Sequence, residues 1–266
     1  MKKIPENIAL CGIPFDLNTS FLQGSAIAPQ RIREILNNGA GNDWTEQTEN
    51  PLKSPHFSDL GDLAVDNYLD IENRVVDVLK NNSRTLILGG DHSITFPIIK
   101  AYSQFFEDIT ILQIDAHGDL YDELDGNPYS HACPFARIME GSYAKRLVQV
   151  GVRTYNPHQR VQAEKFGVET IEMIDFDKGV RPQFDKPIYI SLDLDGIDPA
   201  YAPGVSHHEP GGLTTREVLR LIQSIDVPII GADIVELNPH RDVSGITAAL
   251  AAKLLKEIAG KMLFGS

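Results

Sequence analysis

Apolar positions along the chain fall into two alternating kinds of run. Short β-branched runs, each closed by a turn or a polar residue, predict strands at 8–13, 85–88, 109–114, 147–152, 170–174, 188–192 and 228–235. Several are continuously apolar rather than alternating, which suits a parallel sheet covered on both faces. Between many of them, apolar residues recur at helical spacing. This predicts helices at 29–37 (Ile32, Ile35, Leu36), 71–79 (Val75, Val76, Leu79), 95–105, 215–225 and 248–262. Such alternation predicts a mostly parallel, doubly wound sheet in a three-layer α/β/α sandwich. No linker or repeat interrupts it, so a single catalytic domain over 1–266 is expected, with 38–54 as a long surface loop.

Composition narrows the function. The 266 residues are 42% hydrophobic and 23% charged, enough for a large core. The net charge of −13 argues against a nucleic-acid partner and favours a cationic ligand. Cys11 and Cys133 are the only cysteines, too few for a disulfide framework, so a reducing compartment, the cytoplasm, is expected. No signal-peptide core stands at the N-terminus. No run of about 18 apolar residues occurs, so no membrane partner is expected.

The chemistry sits at strand ends, where ligands bind in open α/β sheets. Gly89-Gly90-Asp91-His92, Asp115-Ala116-His117-Gly118-Asp119, Asp193-Leu194-Asp195 and Glu236 each follow a predicted strand. In extended chain, alternate side chains share a face. Asp115, His117 and Asp119 therefore converge, as do Asp193 and Asp195, and carboxylates so crowded repel unless cations lie between them. The pattern points to two metal ions. An oxygen-rich donor set with some imidazole and no thiolate suits Mn²⁺, is compatible with Fe²⁺, Co²⁺ or Ni²⁺, and fits structural Zn²⁺ poorly. Two bridging carboxylates would hold such a pair about 3.5–4 Å apart, with a nucleophilic hydroxide between them. The Asp193 run is not an EF-hand, because its Gly and twelfth-position Glu are out of place.

Other residues have a bland reading beside a functional one. His92 alone would be a capped or solvated histidine, and its Gly pair lacks the spacing of a phosphate cradle. His131 is a surface histidine or the proton donor to a leaving amine. Glu236 is a strand-end charge or a bidentate clamp for a guanidinium. Cys133 is not expected as nucleophile, since the metals supply one. His207-His208 are expected at the rim near the substrate entrance, His207 touching substrate. Trp44 reads as an interface anchor or part of a lid, and Arg153 has no partner nameable from sequence.

These residues resemble the ureohydrolase family of arginases, agmatinases and their relatives over nearly the whole chain. The similarity is carried by Gly24, Ala28-Pro29, Ile32-Arg33, Asp59-Leu60-Gly61-Asp62, Gly89 to Ser93, Asp115 to Asp119, 191–199 and 233–239. The resemblance implies an α/β/α sandwich and a binuclear manganese centre that hydrolyses guanidino compounds to urea and an amine. It implies one metal on His92, Asp115, Asp119 and Asp193. The other would lie on Asp115, His117, Asp193 and Asp195, with Asp115 and Asp193 bridging. His131 matches the proton-shuttling histidine and Glu236 the guanidinium-binding glutamate, with Asp119 stabilising the tetrahedral intermediate. Tyr121 stands where arginases typically place an Asn, and this together with 198–204 and 209–214 is similar to agmatinases. Agmatine cleavage to putrescine is therefore the leading expectation, with arginase or a guanidinobutyrase type as the alternative. The histidine at 131 disfavours formimidoylglutamase. Gly118 in place of a usual Thr and Val205 to His208 in place of a small-residue loop depart from the family pattern. From other classes, a metallophosphoesterase shares the Asp-x-His start but has its Gly-Asp element apart from it, and a non-catalytic metal-binding protein would have lost a ligand. Family members usually form trimers or hexamers, so a homo-oligomer is expected.

Overall fold

The structure is a computed structural model that describes residues 6–39, 41–81 and 83–265. Residues 1–5, on which part of the N-terminal expectation rests, lie outside the described residues. Eight strands form one sheet: β1 (Asn7–Gly12), β2 (Phe57–Asp62), β3 (Ser83–Leu88), β4 (Thr110–Ile114), β5 (Arg146–Val150), β6 (Glu169–Ile171), β7 (Ile188–Asp193) and β8 (Ile229–Val235). Every pairing is parallel, in the order β2-β1-β3-β8-β7-β4-β5-β6. The helices are α1 (Ala28–Asn37), α2 (Asp70–Lys80), α3 (Thr95–Tyr102), α4 (Pro134–Glu140), α5 (Pro157–Phe166), α6 (Met173–Asp177), α7 (Thr215–Gln223) and α8 (Ile246–Phe264).

The three layers follow from burial on both faces of the sheet. One core packs Leu112, Ile190 and Ile234 against α1, α6, α7 and α8 through Ile32, Phe176, Val218 and Leu254. The other packs Ile87, Ile111 and Tyr189 against α2, α3, α4 and α5 through Val75, Ile98, Phe135 and Ala163. The buried strands β4, β7 and β8 expose no residue, which is why they read as largely apolar runs rather than alternating ones. All seven predicted strands and five predicted helices are present. The run read as a strand over 170–174 stops at Ile171, where Glu172 turns the chain into α6. Strand β2 and helices α4, α5 and α6 were not anticipated. Strand β2 is an edge strand with a half-exposed sequence, FSDLGD, whose Asp59 and Asp62 both bind Arg33 of α1.

The predicted surface loop 38–54 is tied down. The Glu46 carboxylate accepts from Arg216 (2.6 and 2.9 Å) and Gln223, its backbone N–H donates to Glu257, and Lys256 donates to the Asn42 carbonyl. Trp44 projects from this anchored loop, half exposed. No helix among the described residues is long and apolar enough to cross a membrane.

Candidate metal centre

The four strands that carry the chemistry, β3, β8, β7 and β4, are adjacent in the middle of the sheet. Their carboxyl ends therefore open onto one crevice. Close backbone packing shapes it. A Cβ on Gly90 would stand 1.8 Å from the Phe15 carbonyl oxygen. Only glycine lets the chain pass there, with the Gly90 carbonyl accepting from Glu236 N–H (2.9 Å) and the Phe15 carbonyl from Asp91 N–H (2.9 Å). Asp91 accepts from Ser93 N–H and from Asn18 N–H, forming the tight turn that aims His92 at the crevice. Asp115 Oδ1 accepts from His117 N–H and Asp193 Oδ1 from Asp195 N–H, both at 2.7 Å. These two matched local turns keep alternate side chains on the same side beyond the strand ends.

All six expected ligands converge. His92 Nδ1 lies 3.2, 3.0 and 3.1 Å from carboxylate oxygens of Asp115, Asp119 and Asp193. His117 Nδ1 lies 3.2 Å from Asp195 and 3.5 Å from Asp115. Two groups whose ligand atoms lie within 4.8 Å of one another, His92–Asp115–Asp119 and Asp115–His117–Asp195, share Asp115. Asp115 could thus serve both groups. The decisive atom is His92 Nδ1: it is buried and makes no hydrogen bond, while Nε2 is matched to Ser191 Oγ at 2.9 Å. A bare nitrogen facing three carboxylates is explained by a cation between them. The donor set fits a pair of divalent cations.

Without cations the groups hold protons. Burial lifts the Asp119 carboxyl to about 6, with Asp115 adding to the rise, and Asp193 is pushed well above the carboxylate range by burial and by Asp195. Burial opposes charge on His92 and His117, yet the surrounding carboxylates raise both well above the imidazole range. Asp119 (φ 48°) and Glu236 (φ 65°) both sit in left-handed backbone, a strain of about 1–3 kcal/mol each concentrated on two candidate catalytic carboxylates. The unusual Gly118 has a steric reason: a Cβ there would come 2.1 Å from the Tyr155 ring.

His131 and Glu236 form a buried pair beside the cluster, Nδ1 to Oε1 at 2.8 Å. Glu236 Oε1 also accepts from His92 N–H at 2.8 Å. The Ser20 backbone N–H donates to His131 Nε2 at 3.2 Å, so in the neutral ring Nδ1 carries the proton and gives it to Glu236. Burial works against charge on His131, but Glu236 lifts its pKa to about 9; burial works against charge on Glu236, but His131 keeps its pKa below the usual value.

Of the histidine pair, His207 faces the site. Its ring lies 5.4 Å from His131 and 5.9 Å from His117 between centroids, and its buried Nε2 has no hydrogen-bond partner. His208 turns away to the Pro203 carbonyl. Tyr121 stands outside this ring of side-chain contacts. Its hydroxyl accepts from Asn156 at 2.5 Å, its ring stacks on His158, and among the described residues no side-chain hydrogen bond or ring contact joins it to the cluster. Burial raises the Cys133 thiol to about 12, which removes it as a nucleophile.

Several contributors were missed. Arg153 donates to the carbonyls of Gly151, Asp195, Gly196 and Glu209, pinning the Asp195 turn to the next loop; donors to carbonyls leave no sequence signal. Ser20 and Asn18 reach His131 from the loop after β1 with no motif to mark them. Gln113 did leave a signal: a polar residue in an apolar strand, two positions before Asp115 and so on its face, donating to Asp115 at 2.7 Å.

An all-parallel α/β sandwich with two overlapping histidine–carboxylate groups at its central strand ends is the frame of a metal-dependent hydrolase. A family model described as "Arginase family" matches residues 6–260. The chain is 46% identical to "Arginase 1, mitochondrial" of Arabidopsis thaliana, over 96% of this chain and 80% of that protein. It is 30% identical to an agmatinase of Bacillus anthracis, over 94% and 90%. The solved arginase from Medicago truncatula superimposes with a TM-score of 0.89 at 42% identity, covering 97% of this chain and 88% of that one. The chain belongs to the arginase family of ureohydrolases and is a hydrolase of guanidino C–N bonds. The cytoplasmic expectation is overturned by the chain's plant arginase relatives, which are named mitochondrial or chloroplastic. Scarce cysteine argues only against an oxidising compartment and never distinguished the cytoplasm from other reducing ones.

Proposed function

We propose that this chain is an arginase, releasing urea from arginine and leaving ornithine. The carrying observation is the 46% identity to an arginase over 96% of the chain, against 30% to an agmatinase. It reverses the agmatine preference read from Tyr121 and from 198–204 and 209–214. The Tyr121 hydroxyl and ring are taken up by Asn156 and His158, so this tyrosine by itself does not argue for a bare-amine tail.

His92, Asp115, Asp119 and Asp193 would hold one Mn²⁺, and Asp115, His117, Asp193 and Asp195 the other. Bound there, the pair would activate water as the nucleophile. Glu236 holds the guanidinium: its Oε1 already accepts from His92 N–H and His131, while no hydrogen bond among the described residues reaches Oε2. His131, in its doubly protonated form, would supply the leaving amine's proton from Nε2, the atom that in the neutral ring accepts from Ser20 N–H. Asp119 would stabilise the tetrahedral carbon. His207 offers its unpartnered Nε2 to the substrate. The chain acts as one catalytic unit and assembles into a homo-oligomer.

Urea release by the Mn²⁺-loaded protein on arginine, agmatine and guanidinobutyrate tests this. The highest kcat/KM is expected on arginine. Preference for agmatine would overturn the arginase reading, and no urea from any of the three would overturn the proposed catalytic site.

A further inference from the structure

The metal ligand His92 is backed by a buried chain of hydrogen bonds. Strands β7 and β8 pair with Ser191 opposite Asp233. The Asp233 side chain is wholly buried and takes three hydroxyl partners: Ser191 Oγ at 2.7 Å on Oδ1, then Tyr189 OH at 2.9 Å and Thr95 Oγ1 at 3.2 Å on Oδ2. Among the described residues no lysine or arginine pairs with it. A carboxylate buried without a cation is costly, so its position calls for a reason.

Proton accounting supplies one. The carboxylate only accepts, so the Ser191 hydroxyl spends its single proton on Asp233. Towards His92 that oxygen can then only accept, and it lies 2.9 Å from Nε2. Nε2 therefore carries the ring proton, and Nδ1 presents its lone pair to the space between Asp115, Asp119 and Asp193. We propose that Asp233 is a positioning residue for the metal centre: through Ser191 it fixes the proton of His92 on Nε2 and holds Nδ1 bare and aimed at the cation. Asp233 itself touches neither metal nor substrate. The inference rests on His92 being a ligand but is independent of which guanidino compound is cleaved.

Removing the charge from Asp233, or the relay from Ser191, lets the ring proton move to Nδ1 and the ring lose its fixed orientation. Partners of this kind typically contribute about 10–100-fold in metal affinity. The experiment is a Mn²⁺ competition titration on the full chain, with EPR of the bound metal, for wild type, Asp233→Asn and Ser191→Ala. Wild type is expected to bind two ions with a spin-coupled signal. Both variants should lose affinity for one ion by about 10–100-fold and show an uncoupled signal at two equivalents of metal. Excess Mn²⁺ should then restore kcat with KM unchanged. Two ions bound to both variants with wild-type affinity would overturn the proposal. So would a lowered melting temperature of the metal-free variants with metal affinity intact, the signature of a purely structural role. If Asp233→Asn does not fold, Ser191→Ala, which removes one hydroxyl, decides. Absence of Mn²⁺ binding by wild type would instead overturn the ligand assignment.

Discussion

Replacing Glu236 by Gln keeps the shape of the side chain and removes the charge that holds His131 protonated. His131 rises from an ordinary 6.5 to about 9, against a burial penalty that works the other way. At about 1.4 kcal/mol per tenfold change in proton affinity, that is about 3 kcal/mol of preference for the imidazolium. Because the folded pKa is raised, this stabilisation is fully present below about 6.5 and is lost as pH rises through about 9. Asp91, lifted to about 7 by burial and by Glu236, ionises more readily in the variant and offsets part of the loss near neutrality. Denaturant unfolding of the metal-free proteins should therefore show Glu236→Gln less stable by up to about 3 kcal/mol at pH 6, with the gap closing towards pH 10. In the metal-loaded enzyme the alkaline limb of kcat, set by a protonated His131, should move to lower pH. KM should rise by about two orders of magnitude, since the guanidinium loses its carboxylate partner. A stability gap independent of pH, or an alkaline limb left in place, would refute the coupling of Glu236 to His131.

Three further outcomes follow from the same geometry. Because the metal-free protein holds protons on Asp119 (pKa about 6), on Asp193 and on the cluster's histidines, Mn²⁺ binding should release protons and tighten as pH rises; calorimetry in buffers of different ionisation enthalpy showing no release would contradict it. Gly90→Ala drives a Cβ to 1.8 Å from the Phe15 carbonyl and should cost roughly 3 kcal/mol or more in urea unfolding, whereas a neutral change would mean the β3 end moves freely. His207→Ala should raise KM about tenfold, the scale of one lost substrate hydrogen bond, with two Mn²⁺ still bound; unchanged KM would remove His207 from the substrate site.

The fold was legible wherever burial was simple. Strands β4, β7 and β8 are buried at every position, so their β-branched runs stand out. Strand β2 hides because an edge strand needs only one partner and one covered face, and its residues mainly serve the ion pairs with Arg33. Helix α5 defeats periodicity by burying Gln159 and Gln162 while Val161 is exposed. Helix α4 buries Pro134, Phe135, Ala136 and Ile138, leaving too little polar face in seven residues to read as amphipathic. Helix α6 is barely more than one turn long.

The candidate metal ligands were legible for a different reason: the geometry that gathers them is local. Alternate spacing brings Asp115 to Asp119, and Asp193 to Asp195, onto one side before any tertiary contact forms, and tight turns at both sites preserve it. Only the adjacency of β3, β8, β7 and β4 had to come from the fold. Recognition of the substrate tail has no such local code. Tyr121, together with 198–204 and 209–214, suggested agmatine, yet the Tyr121 hydroxyl and ring belong to Asn156 and His158, which begin α5 more than thirty positions away. His207 reaches the site from a loop held in place by Arg153, whose partners are all backbone carbonyls. On the arginase reading, tail preference would draw on more than one loop. One position cannot report it, whereas similarity along the whole chain samples all of those loops at once.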